Sequence, residues 1–230
     1  MRRVFQAGVM ALVLGVVVSP QASAQQAVNF YVGGFSPRAV DARDNNDVLL
    51  RNLNFLAFNI KDFNGPTIGG EWLIGLGRNF EGSLGVGFYQ RTAPAVFVNF
   101  VNSNGSEIEQ DLKLRVVPFT ATVRFLPMGR NNGIEPYIGV GVGVLNYRYS
   151  ESGQFLDNAN NIFRGTFVGS GTATGPVVLG GVRVPVGSWG FGGEIRYQAA
   201  KGDLPVDQDF AGSKIDLGGI NYLFTVNVRF

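Results

Sequence analysis

Apolar and polar residues alternate with a period of two in short segments, and clusters of Gly, Asn, Asp and Ser separate these segments. Eight of them read as strands with one apolar face. The last is the clearest, with Ile220, Tyr222, Phe224, Val226, Val228 and Phe230 on one face and Asn221, Leu223, Thr225, Asn227 and Arg229 on the other. The first carries Val28, Phe30 and Val32, the second Ile68, Trp72, Ile74 and Leu76, and the third Leu84, Val86 and Phe88. Next come Val117, Phe119, Ala121, Val123 and Phe125, then Ile138, Val140, Val142 and Val144. Val178, Val182 and Val184 mark the sixth segment, and Trp189, Phe191, Ile195 and Tyr197 the seventh.

Hydrogen-bonded neighbours must show their apolar residues to the same side, which constrains each connection. A turn at Asn79-Phe80-Glu81 pairs Leu76 with Leu84 and Ile74 with Val86. A hairpin centred on Ser103 to Ser106 opposes Leu84 to Phe125, Val86 to Val123 and Phe88 to Ala121. A turn at Gly187-Ser188 opposes Val184 to Phe191 and Val178 to Tyr197.

The faces opposite these rows hold Gly33, Gly69, Gly85, Gly87, Gly139, Gly141, Gly143 and Gly192 together with Glu71, Thr120, Thr122, Arg124, Arg183, Glu194, Arg196 and Gln198. A soluble barrel shows the reverse, an apolar interior under a charged exterior. Here the expected exteriors hold almost no charge over roughly 9 to 11 residues, the span of a tilted membrane strand. Lipid offers backbone groups no hydrogen bonds, so the eight strands are expected to close. The fold expected is therefore an all-β, closed, eight-stranded antiparallel up-and-down transmembrane barrel. Three connections are short, at Asn79 to Glu81, about Pro127 to Ile134, and Val186 to Ser188. The others are long: Ser36 to Pro66, about Arg91 to Leu114, Ser150 to Thr174, and Ala199 to Lys214. Both termini then fall on the short-turn, periplasmic side, with the long loops outside the cell. Val96, Val98 and Phe100, set opposite Lys113, Asp111 and Glu109, make the second long hairpin protrude above the membrane.

Charge changes this picture only at the N-terminus. Arg2 and Arg3 precede an apolar run from Ala7 to Val18 and the small-residue stretch Ala22-Ser23-Ala24, the pattern of a secretory signal peptide over residues 1–24. The barrel is expected over 25–230. Of the 19 basic and 17 acidic residues, the leader takes two basic ones, so the mature chain is neutral and lacks the basic surplus that nucleic-acid binding needs. No later stretch is apolar enough for a membrane helix. The 33 glycines and the abundance of phenylalanine favour β structure.

The chain resembles the small eight-stranded outer membrane barrels of the OmpA, OmpX and opacity-protein type. The residues that carry the resemblance are the cleavable leader, the Pro136-Tyr137-Ile138-Gly139-Val140-Gly141-Val142-Gly143 strand, the Gly192-Gly193-Glu194-Ile195-Arg196-Tyr197 segment and the alternating strand ending in Phe230. It covers the whole mature chain, and full-length OmpA's peptidoglycan-binding domain is not expected here. The resemblance implies a Gram-negative outer membrane protein of the porin type, a monomer in contact with outer membrane lipids. It also implies that Tyr222, Phe224, Val226, Val228 and Phe230 form the signal read by the barrel assembly machinery.

With no histidine and no cysteine there is no Ser-His-Asp site, no thiol nucleophile and no imidazole metal cluster. No Walker loop and no dinucleotide fingerprint is present either. The reading is of a non-enzymatic protein without cofactor or metal. Asp41, Asp44 and Asp47 read as solvated loop. Glu71, Arg124, Arg183, Glu194 and Arg196 are expected to fill the lumen as a charge network, or alternatively to line a narrow path for ions. Trp72, Tyr89, Trp189 and Tyr197, with Tyr222 and Phe230, suit the aromatic belts at the membrane interface. Leu49, Leu50, Leu53, Phe55, Leu56, Phe58, Ile60 and Phe63 are too apolar for a solvated loop, so the first loop either packs over the barrel mouth or lies against the outer leaflet or a surface partner.

The leading expectation is an integral outer membrane barrel that supports envelope integrity and presents loops for surface interaction. Its alternatives are a low-conductance porin-like channel and a soluble periplasmic lipocalin-like barrel.

Overall fold

A computed structural model describes residues 26–130, 133–157 and 159–230. The expected signal peptide lies outside them. Strands β1 (Gln26–Pro37), β2 (Gly65–Gly75), β3 (Phe80–Val101), β4 (Glu107–Phe125), β5 (Glu135–Leu156), β6 (Ile162–Val186), β7 (Trp189–Gln198) and β8 (Gly219–Arg229) each pair antiparallel with the next. Pairing of β1 with β8, from Ala27 opposite Arg229 to Pro37 opposite Gly219, closes the ring. The chain is thus a closed eight-stranded up-and-down barrel. Closure removes the free sheet edges that would leave backbone groups unpaired in hydrocarbon.

Alternation sets the two faces. Phe30, Ile68, Leu84, Phe119, Ile138, Val178, Ile195 and Phe224 point outward and are exposed. Their neighbours Asn29, Glu71, Ser83, Thr120, Thr122, Glu194 and Thr225 are buried inside. The interior is narrow, and a Cβ at Gly141 would run into the Ala121 carbonyl, just as one at Gly192 would strike the Val182 carbonyl. Glycine there lets neighbouring strands approach under strong curvature.

Registers confirm the pairing of β6 with β7, where Val184 opposes Phe191 and Val178 opposes Tyr197 across a turn with Gly187 at φ 62°. Two other registers are corrected. Between β2 and β3 the turn lies at 76–79, with Gly77 at φ 80° and Leu76 N–H donating to the Phe80 carbonyl at 2.9 Å. Trp72 therefore opposes Leu84, and Ile74 opposes Gly82. The earlier turn makes Glu81 a strand residue and turns it inward. Between β3 and β4 the turn at Asn102 to Ser106 stands as expected, but an irregularity between Val96 and Val101 shifts everything below it. Leu84 opposes Ala121, Val86 opposes Phe119, and Thr92, Pro94 and Val96 face Lys113, Asp111 and Glu109. Both shifts are even, so below the irregularity the expected apolar rows of β2, β3 and β4 keep their outward face.

The expected long loop from Ser150 to Thr174 is instead ladder, since β5 and β6 run on to Leu156 and Ile162. Above the outward rung of Gln90, Arg115 and Arg148 the pattern inverts. Glu109, Asp111 and Lys113 are exposed while Ile108, Leu112, Leu114 and Tyr149 are buried, the arrangement of a barrel standing in water. The lumen is consequently not polar throughout, as the glycine and charge pattern of the lower strands suggested. No described helix is long and apolar enough to cross a membrane, a statement that does not bear on strands.

The first loop fills that upper interior. Helix α1 (Val48–Asn52) starts at Asp47, whose carboxylate accepts the Leu50 N–H at 3.1 Å. Val48, Leu49, Leu56, Ile60 and Phe63 are buried against Phe35, Leu112, Leu114, Val116, Leu145 and Tyr149 from the wall and Leu204, Ile215 and Leu217 from the last loop. Of the expectations for this loop, packing over the mouth holds. Phe55 stays partly exposed against Phe97, with ring centroids 5.8 Å apart. Leu56 and Ala57 add a short strand to β3 opposite Phe97 and Val96.

Candidate functional site in the barrel lumen

The lower lumen is ionic. β2 brings in Glu71, β4 Arg124, and β7 both Glu194 and Arg196, because these positions share the inward parity of their strands. All four are at most 3% exposed. The two carboxylates and two guanidiniums form a square: Glu71 Oε2 accepts from Arg124 at 2.5 Å, Glu71 Oε1 accepts from Arg196 at 2.6 Å, Glu194 Oε1 accepts from Arg196 at 2.5 Å, and Glu194 Oε2 lies 3.2 Å from Arg124. Asn29 donates to Glu71 at 3.1 Å and the Tyr137 hydroxyl to Glu194 at 3.1 Å. Arg124 lies over the Tyr137 ring at 5.1 Å, and Arg196 over Tyr31 at the same distance. Buried charge costs several kcal/mol per ion unless it is paired and further hydrogen-bonded. All four ions are paired and both carboxylates take a further donor, while Arg124 Nε has no hydrogen-bond partner among the described residues.

A second cluster sits nearer the short turns. Arg183 donates to Glu135 at 2.8 Å and to Glu81 at 3.1 Å, Arg229 reaches Glu135 at 2.5 Å, and Arg130 reaches Glu81 at 3.0 Å. Arg124 joins the layers through Glu81 at 3.9 Å. Of the five charges singled out in sequence, Glu71, Arg124, Glu194 and Arg196 thus meet in one square and Arg183 in the other cluster. Sequence reasoning missed Glu81, Glu135 and Arg229. Glu81 was hidden by the misplaced turn, whereas the inward parity of Arg229, opposite Ala27, was legible and went unused.

Tyr89 is a correction. It is 3% exposed, points inward, and its hydroxyl donates to the Phe63 carbonyl, so it pins the first loop rather than joining an interface belt. The register of β3 gives the reason, since Phe88 holds the outward position beside it. Trp72, Trp189, Tyr197, Tyr222 and Phe230 are outward and exposed. Phe224 shares that face, with Val226 and Val228 half-buried on the same row. Asp47, read as solvated, is 1% exposed and accepts from Arg43 at 2.9 Å and from the Asp216 N–H at 2.6 Å, clasping the first loop to the last.

At the long-hairpin end, Glu151 on β5 accepts from the Asn52 amide at 2.6 Å and the Tyr149 hydroxyl at 2.8 Å, with no cation in either bond. Burial pushes its pKa above the usual carboxylate value, and the two donors only partly oppose this. Folded Glu151 therefore holds its proton more tightly than the unfolded chain does. The cap over the lumen is most stable below the ordinary carboxylate pKa of 4.5 and loses stability as pH rises through the raised folded value. Hydrogen exchange of the α1 amides measured against pH should show this loss, and Glu151→Gln should abolish it. A pH-independent opening in the wild type would contradict the assignment.

Among the described residues no group of three or more His, Cys, Asp or Glu could hold a metal. What the arrangement does chemically is neutralise charge and occupy volume.

No protein-family model and no curated protein matches the chain. Solved structures do. Neisserial surface protein A is similar over 92% of this chain and 100% of its own, at 12% identity and a TM-score of 0.50. Escherichia coli outer membrane protein W matches over 91% of this chain and 100% of its own, at 12% identity and a TM-score of 0.46. Ail of Yersinia pestis, solved with the heparin analogue sucrose octasulfate, matches over the same shares at 12% identity and a TM-score of 0.43. At these identities the likeness to the first of them establishes the fold, that of the small eight-stranded outer membrane barrels.

Proposed function

We propose that this chain, a barrel with the outer membrane fold, is a non-enzymatic integral protein of that membrane. It anchors in the bilayer, supports the envelope and presents its long hairpins at the cell surface. The observation that carries the reading is the pairing of an uncharged outer band with a filled interior. From Phe88 on β3, Phe119 on β4 and Val144 on β5 down to the short turns, the outward rows are apolar or glycine, while two ionic clusters and an apolar cap occupy the inside. Such an exterior is costly in water and favourable in hydrocarbon. A lipocalin-like soluble barrel would need the opposite distribution, and a channel would need the charged groups free to exchange with ions rather than bound to one another.

Fractionation tests the location. The protein should partition with outer membranes, resist carbonate extraction and run faster on gels unheated than heated. Protease added to intact cells should cut near Val206, 92% exposed in the last long loop, and spare the turn at Gly187. Recovery in the soluble periplasm, or cutting at Gly187 alone, would overturn the placement.

A further inference from the structure

The register of β4 against β5 sets two arginines side by side. Arg115 opposes Arg148, and the same rung continues to Gln90 on β3 and Ser170 on β6. The rung above is Thr92, Lys113, Ser150 and Val168. Arg115, Arg148 and Lys113 are outward and exposed, and their side chains have no hydrogen-bond or ion-pair partner among the described residues. Directly opposed residues on antiparallel strands sit about 4.5–5.5 Å apart at Cα, where like charges are destabilising. No carboxylate shares either rung; Asp111 comes one rung higher, opposite Pro94 and Ser152. Below lie Asn146 and Thr172, and then the apolar rung of Val86, Phe119 and Val144. The three cations thus lie just where the lipid-facing band ends. By contrast, Arg38 bonds the Tyr197 hydroxyl and Asp216, and Arg91, beside Gln90, donates to the Asp62 carbonyl.

We propose that Arg115, Arg148 and Lys113 form a site for the phosphate monoester of a lipid headgroup in the leaflet next to the long hairpins. A doubly charged phosphate set between the two guanidiniums turns their repulsion into two charge-assisted, forked hydrogen-bond sets. Lys113 adds a third cation from above, and Gln90, Ser150 and Ser170 add neutral donors for the headgroup's remaining oxygens. The acyl chains then lie along Val86, Phe119 and Val144. This site rests on the bilayer placement proposed above and goes beyond it by naming the headgroup chemistry.

The test uses the full mature chain in phosphatidylcholine nanodiscs doped with diphosphoryl lipid A or its dephosphorylated form, with lipid retention read by native mass spectrometry. The wild type should retain the diphosphoryl lipid by about tenfold or more over the dephosphorylated one, the worth of one charge-assisted hydrogen bond. R115Q/R148Q should lose that preference, R115K/R148K should keep most of it, and R164Q, which removes an exposed arginine of β6 outside the two rungs, should leave it intact. Millimolar inorganic phosphate should not displace the lipid; displacement would mean a site for free phosphate and would overturn the lipid assignment. Equal retention of both lipids by the wild type, or an unchanged preference in R115Q/R148Q, would sink the site. Failure of the chain to enter nanodiscs at all would instead count against the bilayer placement, so the two readings fail separately.

Discussion

Glu71→Leu should be among the most destabilising single substitutions in the lumen, lowering unfolding free energy by about 3–5 kcal/mol. Each oxygen of Glu71 holds a guanidinium, Arg196 on one and Arg124 on the other, and Asn29 adds a third donor. Removing the carboxylate leaves two arginines, at most 3% exposed, with Glu194 as the one acid of the square and only the more distant Glu81, 3.9 Å from Arg124, beyond it. Glu71→Gln should be milder because it keeps the volume and one acceptor. Urea titration of the unheated, folded band in detergent micelles measures both. A loss below about 1 kcal/mol for Glu71→Leu, the scale of solvent-exposed pairs, would mean that the square is hydrated.

On the outside the penalty comes from lipid. Phe224, 54% exposed on β8, faces the band midway between Tyr222 and Val226. Phe224→Arg should cost on the order of 2–4 kcal/mol and strongly reduce folding into vesicles. Asn227→Asp, on the inner face of the same strand, should be tolerated. Neither side-chain polar atom of Asn227 has a hydrogen-bond partner among the described residues, so the change breaks no bond, and its side chain lies beside the aliphatic stem of Arg183 at Gly190. The yield of folded protein in vesicles for the two variants separates the faces. Equal damage would mean that the strand presents no distinct lipid side.

Period-two alternation made the facing legible, because a one-residue slip would invert every strand and no strand is inverted. Registers were less legible. The short turn was set by Gly77 in a left-handed conformation, and the turn expected at Asn79-Phe80-Glu81 preserves the same parity, so alternation could not tell them apart. Between Val96 and Val101 the chain reads Val-Phe-Val-Asn-Phe-Val, apolar at all but Asn99, so period-two alternation gives no register there and does not locate the irregularity. For the interior, parity found Glu71, Arg124, Arg183, Glu194 and Arg196, but which acid meets which base depends on barrel stagger, a property of the whole ring. The clasp at Asp47 and the latch at Glu151 were illegible for the same reason: their partners Asp216 and Asn52 come from loops whose courses only packing decides.

Conductance of the purified wild-type protein in planar bilayers tests the closed, filled barrel most directly. With both ionic clusters paired and the apolar cap seated, the account predicts no steady current above the bare bilayer across a range of voltages. Steady wild-type current, shifting from cation toward anion selectivity when Glu71 and Glu194 are changed to lysine, would contradict it and make the lumen a conducting path.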